Sequence, residues 1–164
     1  MGVAKWQKFP LILIPTEFVV STFHICHQNK ILKAMGIQYY GICKNCGRRF
    51  KIMDGGGFTF HMLRCDTCGK HKSVNFEQLG ELHLRYLKGL NQPYSLATAH
   101  YDNLIRELFP GEPLPKDSYE AAIEEFVGKC RCGGQYRFNA PPRCPRCRCT
   151  DFEEDPNGDA FLYD

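Results

Sequence analysis

The 164-residue sequence contains no apolar run long enough to span a bilayer. Its main candidate, FPLILIPTEFVV at residues 9–20, is interrupted by Pro10 and Pro15 and contains Glu17. Basic residues precede this run, but no small-residue cleavage pattern follows it, so a secretory signal is not expected. The myristoylation pattern is missing because Trp6 stands where serine or threonine is required. We therefore expect a cytoplasmic protein with no membrane association.

The sequence also lacks the side-chain patterns of common enzymes. It has no Ser/His/Asp order and no paired-carboxylate context. The glycine run DGGG at residues 54–57 lacks the lysine of a P-loop and does not open a helix. Its CxxC pairs lack the βαβ context of thioredoxin-like redox chemistry. The sequence therefore predicts that the protein is not an enzyme.

Cysteine, in contrast, is abundant, with ten residues. Closely spaced thiols usually chelate metal in a reducing compartment, whereas disulfide frameworks belong to short secreted chains. Cys26 and Cys149 are left over. Eight of the ten form close pairs: Cys43/Cys46, Cys65/Cys68, Cys130/Cys132 and Cys144/Cys147. The sequence thus predicts metal sites built from these pairs.

The first cysteine module is CKNCGRRFKIMDGGGFTFHMLRCDTCGK, in which 18 residues separate the two CxxC pairs. This spacing is typical of a zinc site with four thiolate ligands. Gly47 and Gly69 follow the pairs and permit a positive φ, which turns backbone N–H groups toward the sulfurs. RRFKIM and FTFHMLR resemble strands joined by the DGGG turn. We expect a zinc ribbon, in which two knuckles hold one β-hairpin.

The second module contains CRCGG, then QYRFNAPPR, then CPRC, with 11 residues between Cys132 and Cys144. That length accommodates one strand, a turn and the returning chain. Its first pair is C-x-C, and Arg148 stands at the usual knuckle glycine position. Cys149 is a possible substitute ligand, but the C-P-x-C turn favours Cys147.

Both modules resemble zinc ribbons of the rubredoxin-like type. Residues 36–164 as a whole resemble small bacterial two-ribbon proteins of unassigned role. The resemblance implies one metal at Cys43, Cys46, Cys65 and Cys68, and another at Cys130, Cys132, Cys144 and Cys147. Four thiolates suit zinc or iron, and we expect two Zn²⁺ ions, with iron as the alternative. Four protein ligands leave no open position on the metal, so these sites are expected to be structural.

Charge is segmented along the chain. Residues 43–72 carry seven basic and two acidic side chains, and residues 128–149 carry six basic and none acidic. Residues 73–127 and 150–164 are acidic. Basic residues near Phe50, Tyr136 and Phe138 suggest binding to phosphates and bases. The candidate nucleic-acid contacts are Arg48, Arg49, Lys51, Arg137, Arg143 and Arg146. Alternatively, the cations solvate the ribbons and balance the thiolates, while the aromatic rings fill small cores.

Three helices are expected in the acidic spacer. FEQLGELHLRYLKGL begins after Asn75, with Gln78 completing a capping box. SLATAHYDNLIRELF is expected to pack through its apolar face. SYEAAIEEFVG has a capping-box pattern at Asp117 and Glu120. We expect His61, His71, His83 and His100 to be packed or solvated, although His61 or His71 could replace a cysteine ligand.

The predicted fold is α+β, with two small zinc-ribbon β modules separated by an α-helical insert. The expected segments are an N-terminal extension (1–35), ribbon 1 (36–74), the insert (75–128), ribbon 2 (129–152) and an acidic tail (153–164). Residues 1–34 are either an over-extended reading frame before Met35 or a strand, FVVSTFHI, beside the first module. A metal or nucleophilic role for HICH at 24–27 is not favoured. The leading role is nucleic-acid binding, and the alternative is a protein-interaction or scaffold module.

Overall fold

Two antiparallel hairpins form the framework of the protein, and each turns at a CxxC pair. The computed structural model describes residues 35–95 and 97–163; the expectations for FVVSTFHI and HICH lie outside these residues. In the first hairpin, β1 (Gly36–Cys43) pairs with β2 (Arg49–Asp54). In the second, β3 (Phe60–Cys65) pairs with β4 (His71–Asn75). A tight thiol-bearing turn thus joins the strands of each hairpin.

The expected pairing of the two strands around the DGGG turn is wrong. β2 and β3 are separate strands of two different sheets, and each pairs with a strand on its other side in sequence. The residues from Gly55 to Thr59 therefore connect two sheets instead of closing one hairpin. The pattern of strands was predictable, but the partner of each strand was not, because alternation alone does not specify pairing.

Three short strands from the C-terminal part complete the two sheets. β5 (Tyr136–Arg137) pairs with β3, which gives the order β4-β3-β5. β6 (Phe152–Glu154) and β7 (Phe161–Tyr163) pair with opposite ends of β1, on the edge away from β2. Five of the twelve residues expected to form an acidic tail therefore lie in strands of the first sheet.

The acidic spacer is helical, and the fold is α+β as the sequence predicts. The described residues contain helices α1 (Phe76–Leu79), α2 (Glu81–Gly89), α3 (Ala99–Leu108) and α4 (Lys116–Val127). The capping box predicted at the first helix is confirmed, because the Gln78 side chain accepts the Asn75 N–H at 3.0 Å. The box predicted at Asp117 is wrong. Helix α4 begins earlier, with Pro115 as its N-cap, so Asp117 lies within its first turn.

Each hairpin has its own small core. The larger core packs the buried face of α4 (Tyr119, Ile123 and Val127) against Leu63 and Val74 of the second hairpin. The smaller core contains Phe50 and Ile52 beside two of the cysteines. In contrast, much of the face of α3 that was expected to pack is exposed: Tyr101 is 53% exposed, Leu104 39% and Leu108 74%, while Ile105 is half-buried. No helix in the described part of the chain is long and apolar enough to cross a membrane.

Candidate metal centres

The first thiol cluster, here called the outer quartet, joins the two ends of the described chain. Cys43 and Cys46 come from the β1–β2 turn, and Cys144 and Cys147 come from the CPRC turn before β6. The Cys43 and Cys147 sulfurs lie 3.5 Å apart, and the Cys46 and Cys144 sulfurs lie 3.6 Å apart. All four sulfurs fall within 4.8 Å of one another.

The second cluster, here called the inner quartet, lies between the outer pairs in sequence. Cys65 and Cys68 come from the β3–β4 turn, and Cys130 and Cys132 follow helix α4. The Cys65 and Cys132 sulfurs are 3.4 Å apart, and the Cys68 and Cys130 sulfurs are 3.7 Å apart. Three of these cysteines are at least partly buried, while Cys132 is exposed.

The geometry of both quartets fits a tetrahedral metal ion. With Zn–S bonds of about 2.3 Å, the edge of a tetrahedron of sulfurs is about 3.8 Å. The separations of 3.4–3.7 Å lie close to this value. They are far longer than a disulfide bond of about 2.05 Å. Each quartet can therefore hold one metal ion through four sulfur ligands, with the donor set that zinc and iron share.

The eight cysteines predicted as ligands are the eight that form the quartets, but their expected grouping is wrong. Each quartet combines one pair from residues 43–68 with one pair from residues 130–147. Cys43 and Cys65, expected at one metal, lie in different clusters. The two hairpins occupy separate sheets, so each CxxC turn meets a partner from the distant half of the chain.

Three of the four cysteine turns share the same backbone arrangement. The Gly47 N–H donates to the Cys43 carbonyl at 2.8 Å, and the Gly69 N–H donates to the Cys65 carbonyl at 2.9 Å. The Arg148 N–H does the same to the Cys144 carbonyl at 2.8 Å. Arg148 also adopts a φ of 62°, although it is not glycine. The knuckle therefore forms without glycine, at the cost of a strained backbone at Arg148.

Cys149 lies outside the outer quartet. Its carbonyl accepts the Cys144 N–H at 2.9 Å, and its sulfur accepts the Asp151 N–H at 3.4 Å. The preference for Cys147 as the fourth sulfur is thus consistent with the structure. Cys149 instead supports the turn that presents Cys144.

Neutral donors around the thiols stabilise negative charge on sulfur. The backbone N–H of Cys132 and then the Tyr136 hydroxyl lower the pKa of Cys130 to about 6. The backbone N–H of Cys149 and then the Asn45 side chain lower the pKa of Cys147 to about 6. Burial raises the pKa of Cys43 and of Cys68 to about 12. Each quartet thus includes at least one thiol with a lowered pKa, and the ionised thiol is the form that binds metal.

The roles of Asn45 and Tyr136 were not identified from the sequence. Asn45 lies in the first cysteine module but acts on Cys147 of the second module. Tyr136 lies in the same module as Cys130, but a role for its hydroxyl beside that thiol was not considered. The sequence left open whether these rings stack on bases or fill small cores; Tyr136 is buried beside Cys130, and Phe50 is buried in the smaller core. These two rings fill the cores instead of forming an exposed stacking surface.

The candidate nucleic-acid contacts differ in their surroundings. Arg49 pairs with Asp155 and stacks over the Tyr40 ring, and Arg137 pairs with Glu124. Arg143 donates to the Arg148 carbonyl at 3.1 Å, while its Nε atom is buried without a partner among the described residues. The other three candidates are exposed: Arg48, Lys51 and Arg146.

The histidines considered as substitute ligands are not in either quartet. His61 Nε2 lies 2.8 Å from the Tyr119 hydroxyl, and His83 Nδ1 lies 2.6 Å from the same oxygen. Burial lowers the pKa of His61 to about 3 and that of His83 to about 4, so both rings are neutral near pH 7. His71 instead contacts Arg64, whose Nε lies 3.3 Å from its Nε2. His61 and His83 thus form a polar network inside the larger core.

Comparison with known proteins identifies the family of this chain. The model described as Domain of unknown function (DUF8255) matches residues 39–153, a range that contains all eight quartet cysteines. The chain therefore belongs to this family. Neither a curated protein nor a solved structure matches it.

Proposed function

We propose that this member of the DUF8255 family is a non-enzymatic zinc module that binds nucleic acid through the cations around its outer quartet. One Zn²⁺ ion would be held by Cys43, Cys46, Cys144 and Cys147, and a second by Cys65, Cys68, Cys130 and Cys132. Free thiols in this number suit a reducing compartment, and we propose the cytoplasm.

Zinc is proposed in a structural role. Four thiolates saturate a tetrahedral ion and leave no position for water or substrate. In such small sheets, metal binding supplies much of the folding free energy, about 10 kcal/mol or more per site. Iron would use the same ligands, so metal analysis and visible absorption of the purified protein distinguish the two ions.

The observation that carries the nucleic-acid proposal is the convergence of two basic segments at one quartet. Residues 43–51 contain four basic side chains, and residues 143–148 contain three, with no acidic residue in either segment. These segments lie about a hundred positions apart in sequence, but the outer quartet brings their cysteines within 4.8 Å of one another. A concentrated positive charge of this kind attracts the phosphate backbone without regard to base sequence.

Not every cation in this region is equally accessible to phosphate. Asp151 pairs with Lys44 at 3.1 Å, and Asp155 pairs with Arg49. Arg48 and Arg146 are exposed beside the two knuckles, and Lys51 is exposed on β2. We infer that these three side chains make the principal phosphate contacts.

The test measures binding of labelled single-stranded and double-stranded DNA and RNA to the metal-loaded protein at two salt concentrations. We expect Arg48→Ala/Arg146→Ala to weaken binding and to lower the salt slope by about 0.7–0.9 for each phosphate that the variant no longer neutralises. Arg106→Ala/Lys116→Ala is the matched control, because it removes two cations from helices α3 and α4. No binding at low salt, or equal losses in the two double variants, would contradict the proposal.

A second candidate is a protein-interaction module without a nucleic-acid role. One observation favours it: Tyr101, Leu104 and Leu108 form an exposed apolar face on helix α3. Such a face is typical of contact sites on proteins. If no nucleic acid binds, Leu108→Lys should reduce association with a protein partner, whereas Phe126→Lys, at an exposed apolar position on α4, should not.

A further inference from the structure

A cavity of about 580 Å³ lies among the helices, away from both thiol quartets. Its walls come from the segment before β3, from α1 and α2, and from the start of α3. This volume is within the range of small-molecule sites, about 300–1,000 Å³. Five of the residues that line it carry rings: Phe58, Phe76, His83, Tyr94 and Tyr101.

The rings form walls at right angles to one another. The Phe76 and Tyr94 centroids are 5.4 Å apart with an interplanar angle of 89°. Phe76 is stacked on His83, with centroids 3.9 Å apart, and Tyr94 is also nearly perpendicular to His83. Aromatic faces carry the negative part of the ring quadrupole, so ring surfaces that border the cavity attract a cation placed against them.

The charged groups of the cavity have one sign. Glu77 and Asp102 both line it, while the described lining residues include no lysine or arginine. Asp102 is only 2% exposed, and its Oδ2 accepts the Tyr94 N–H at 2.7 Å and the Thr98 hydroxyl at 2.8 Å. Both of these hydrogen bonds end on Oδ2; within the described residues Oδ1 accepts none, so this oxygen is available to a ligand.

We propose that this cavity binds a small organic ammonium cation, held against the rings of Phe76, Tyr94 and Tyr101 and by the carboxylates of Asp102 and Glu77. Ring faces favour a weakly hydrated alkylated ammonium, and the carboxylates supply the opposite charge. An anion would meet two acidic groups without a compensating cation. A neutral apolar ligand would contact the rings but would gain nothing from the carboxylates.

The test is calorimetric titration of the metal-loaded, full-length protein with tetramethylammonium, choline and Nε-trimethyllysine. The matched probe is 3,3-dimethylbutan-1-ol, a neutral molecule with the shape of choline. We expect at least one cation to bind in a saturable manner, and choline to bind about tenfold more tightly than its neutral analogue. No saturable binding by any cation, or equal binding of choline and its analogue, would overturn the proposal.

Variants place the ligand in this cavity. Tyr101→Leu and Glu77→Gln should each weaken binding of the cation several-fold, since both side chains line the cavity and neither is buried. Phe161→Leu is the control, because it makes a similar change at an exposed aromatic residue of β7 outside the lining. Metal content and thermal unfolding confirm that each variant is folded. Equal affinity of wild type, Tyr101→Leu and Glu77→Gln would place the ligand elsewhere.

Discussion

Gly69 lies directly against Arg143, so the knuckle of one quartet contacts the knuckle of the other. A Cβ atom built at Gly69 would be 2.8 Å from the Arg143 Cβ and 3.3 Å from the Arg143 nitrogen. Gly69 follows Cys68 of the inner quartet, and Arg143 precedes Cys144 of the outer quartet. The two candidate metal centres are therefore packed together through the backbone at these positions.

This contact predicts that alanine destabilises the protein to different extents at two glycines in equivalent positions. Gly47 and Gly69 both follow a CxxC pair with positive φ, 67° and 74°, but nothing lies within 4 Å of a Cβ built at Gly47. Alanine at either position should cost about 1 kcal/mol of backbone strain. Gly69→Ala should cost about 1–3 kcal/mol more because of the contact with Arg143. Urea unfolding at saturating zinc measures both, and equal losses would contradict the contact.

The grouping of the cysteines predicts metal stoichiometry. Cys43→Ser/Cys144→Ser removes two ligands from the outer quartet only, so the protein should keep one ion. Cys43→Ser/Cys65→Ser removes one ligand from each quartet, so both ions should be lost or bound weakly. Native mass spectrometry counts the ions. Cys149→Ser is the control and should keep two. The reverse result for the two double variants would restore the grouping that the resemblance implies.

Arg64 is predicted to be essential for the contact between the two hairpins. It lies in β3 with 7% exposure, and its guanidinium donates to the Met53 carbonyl, to Asp54 at 2.8 Å and to the Ala140 carbonyl at 3.0 Å. Arg64→Met would leave these acceptors without a donor, at a cost of about 2–4 kcal/mol. Denaturant unfolding measures the loss. Arg48→Met, at an exposed position, should change stability by less than about 0.5 kcal/mol.

Acid should destabilise the protein through the buried His83 and the half-buried His61. The pKa of His61 is lowered to about 3 and that of His83 to about 4, mainly by burial, whereas an unfolded histidine titrates near 6.5. Between these values the unfolded state binds more protons than the folded state. Stability is therefore full above about pH 6.5 and falls as the pH drops toward 4, by up to about 1.4 kcal/mol per pH unit for each ring.

His83→Gln separates this effect from the loss of metal in acid. Glutamine can still hydrogen-bond to the Tyr119 hydroxyl but does not titrate. The unfolding temperature of this variant should depend less on pH than that of His100→Gln, in which an exposed histidine is replaced. Both variants share the thiols, so metal release contributes equally. Parallel pH profiles for the two variants would argue against the histidine network.

Asp155 is expected to reduce the proposed affinity for nucleic acid. Its carboxylate pairs with Arg49, and this hydrogen bond and that to the Asn157 N–H lower the pKa of Asp155. Asp155→Asn keeps the size of the side chain and frees the charge of Arg49 for phosphate. We expect tighter binding and a steeper salt dependence by about one phosphate contact. Asp117→Asn, at an exposed position on helix α4, is the control, and an equal change in both variants would reject a specific role for the pair.

The sequence by itself determined the identity of the eight cysteines that form the quartets and the class of the elements. A CxxC pair brings two sulfurs together through one local turn, so these pairs could be identified from the sequence alone. The helices of the acidic spacer and the strands beside the knuckles also follow from local patterns, as the Asn75–Gln78 cap illustrates.

Only the tertiary structure decided which pairs share a site. Cys46 is separated from Cys65 by 18 residues, yet its cluster contains Cys144 and Cys147. The number of residues between two cysteine pairs limits how far apart their sulfurs can lie, but it does not determine which sheet a strand joins. The choice depends on contacts between distant residues, such as Arg64 with Asp54 and Gly69 with Arg143. Those contacts exist only after the two hairpins have packed, and they place the outer and inner quartets side by side.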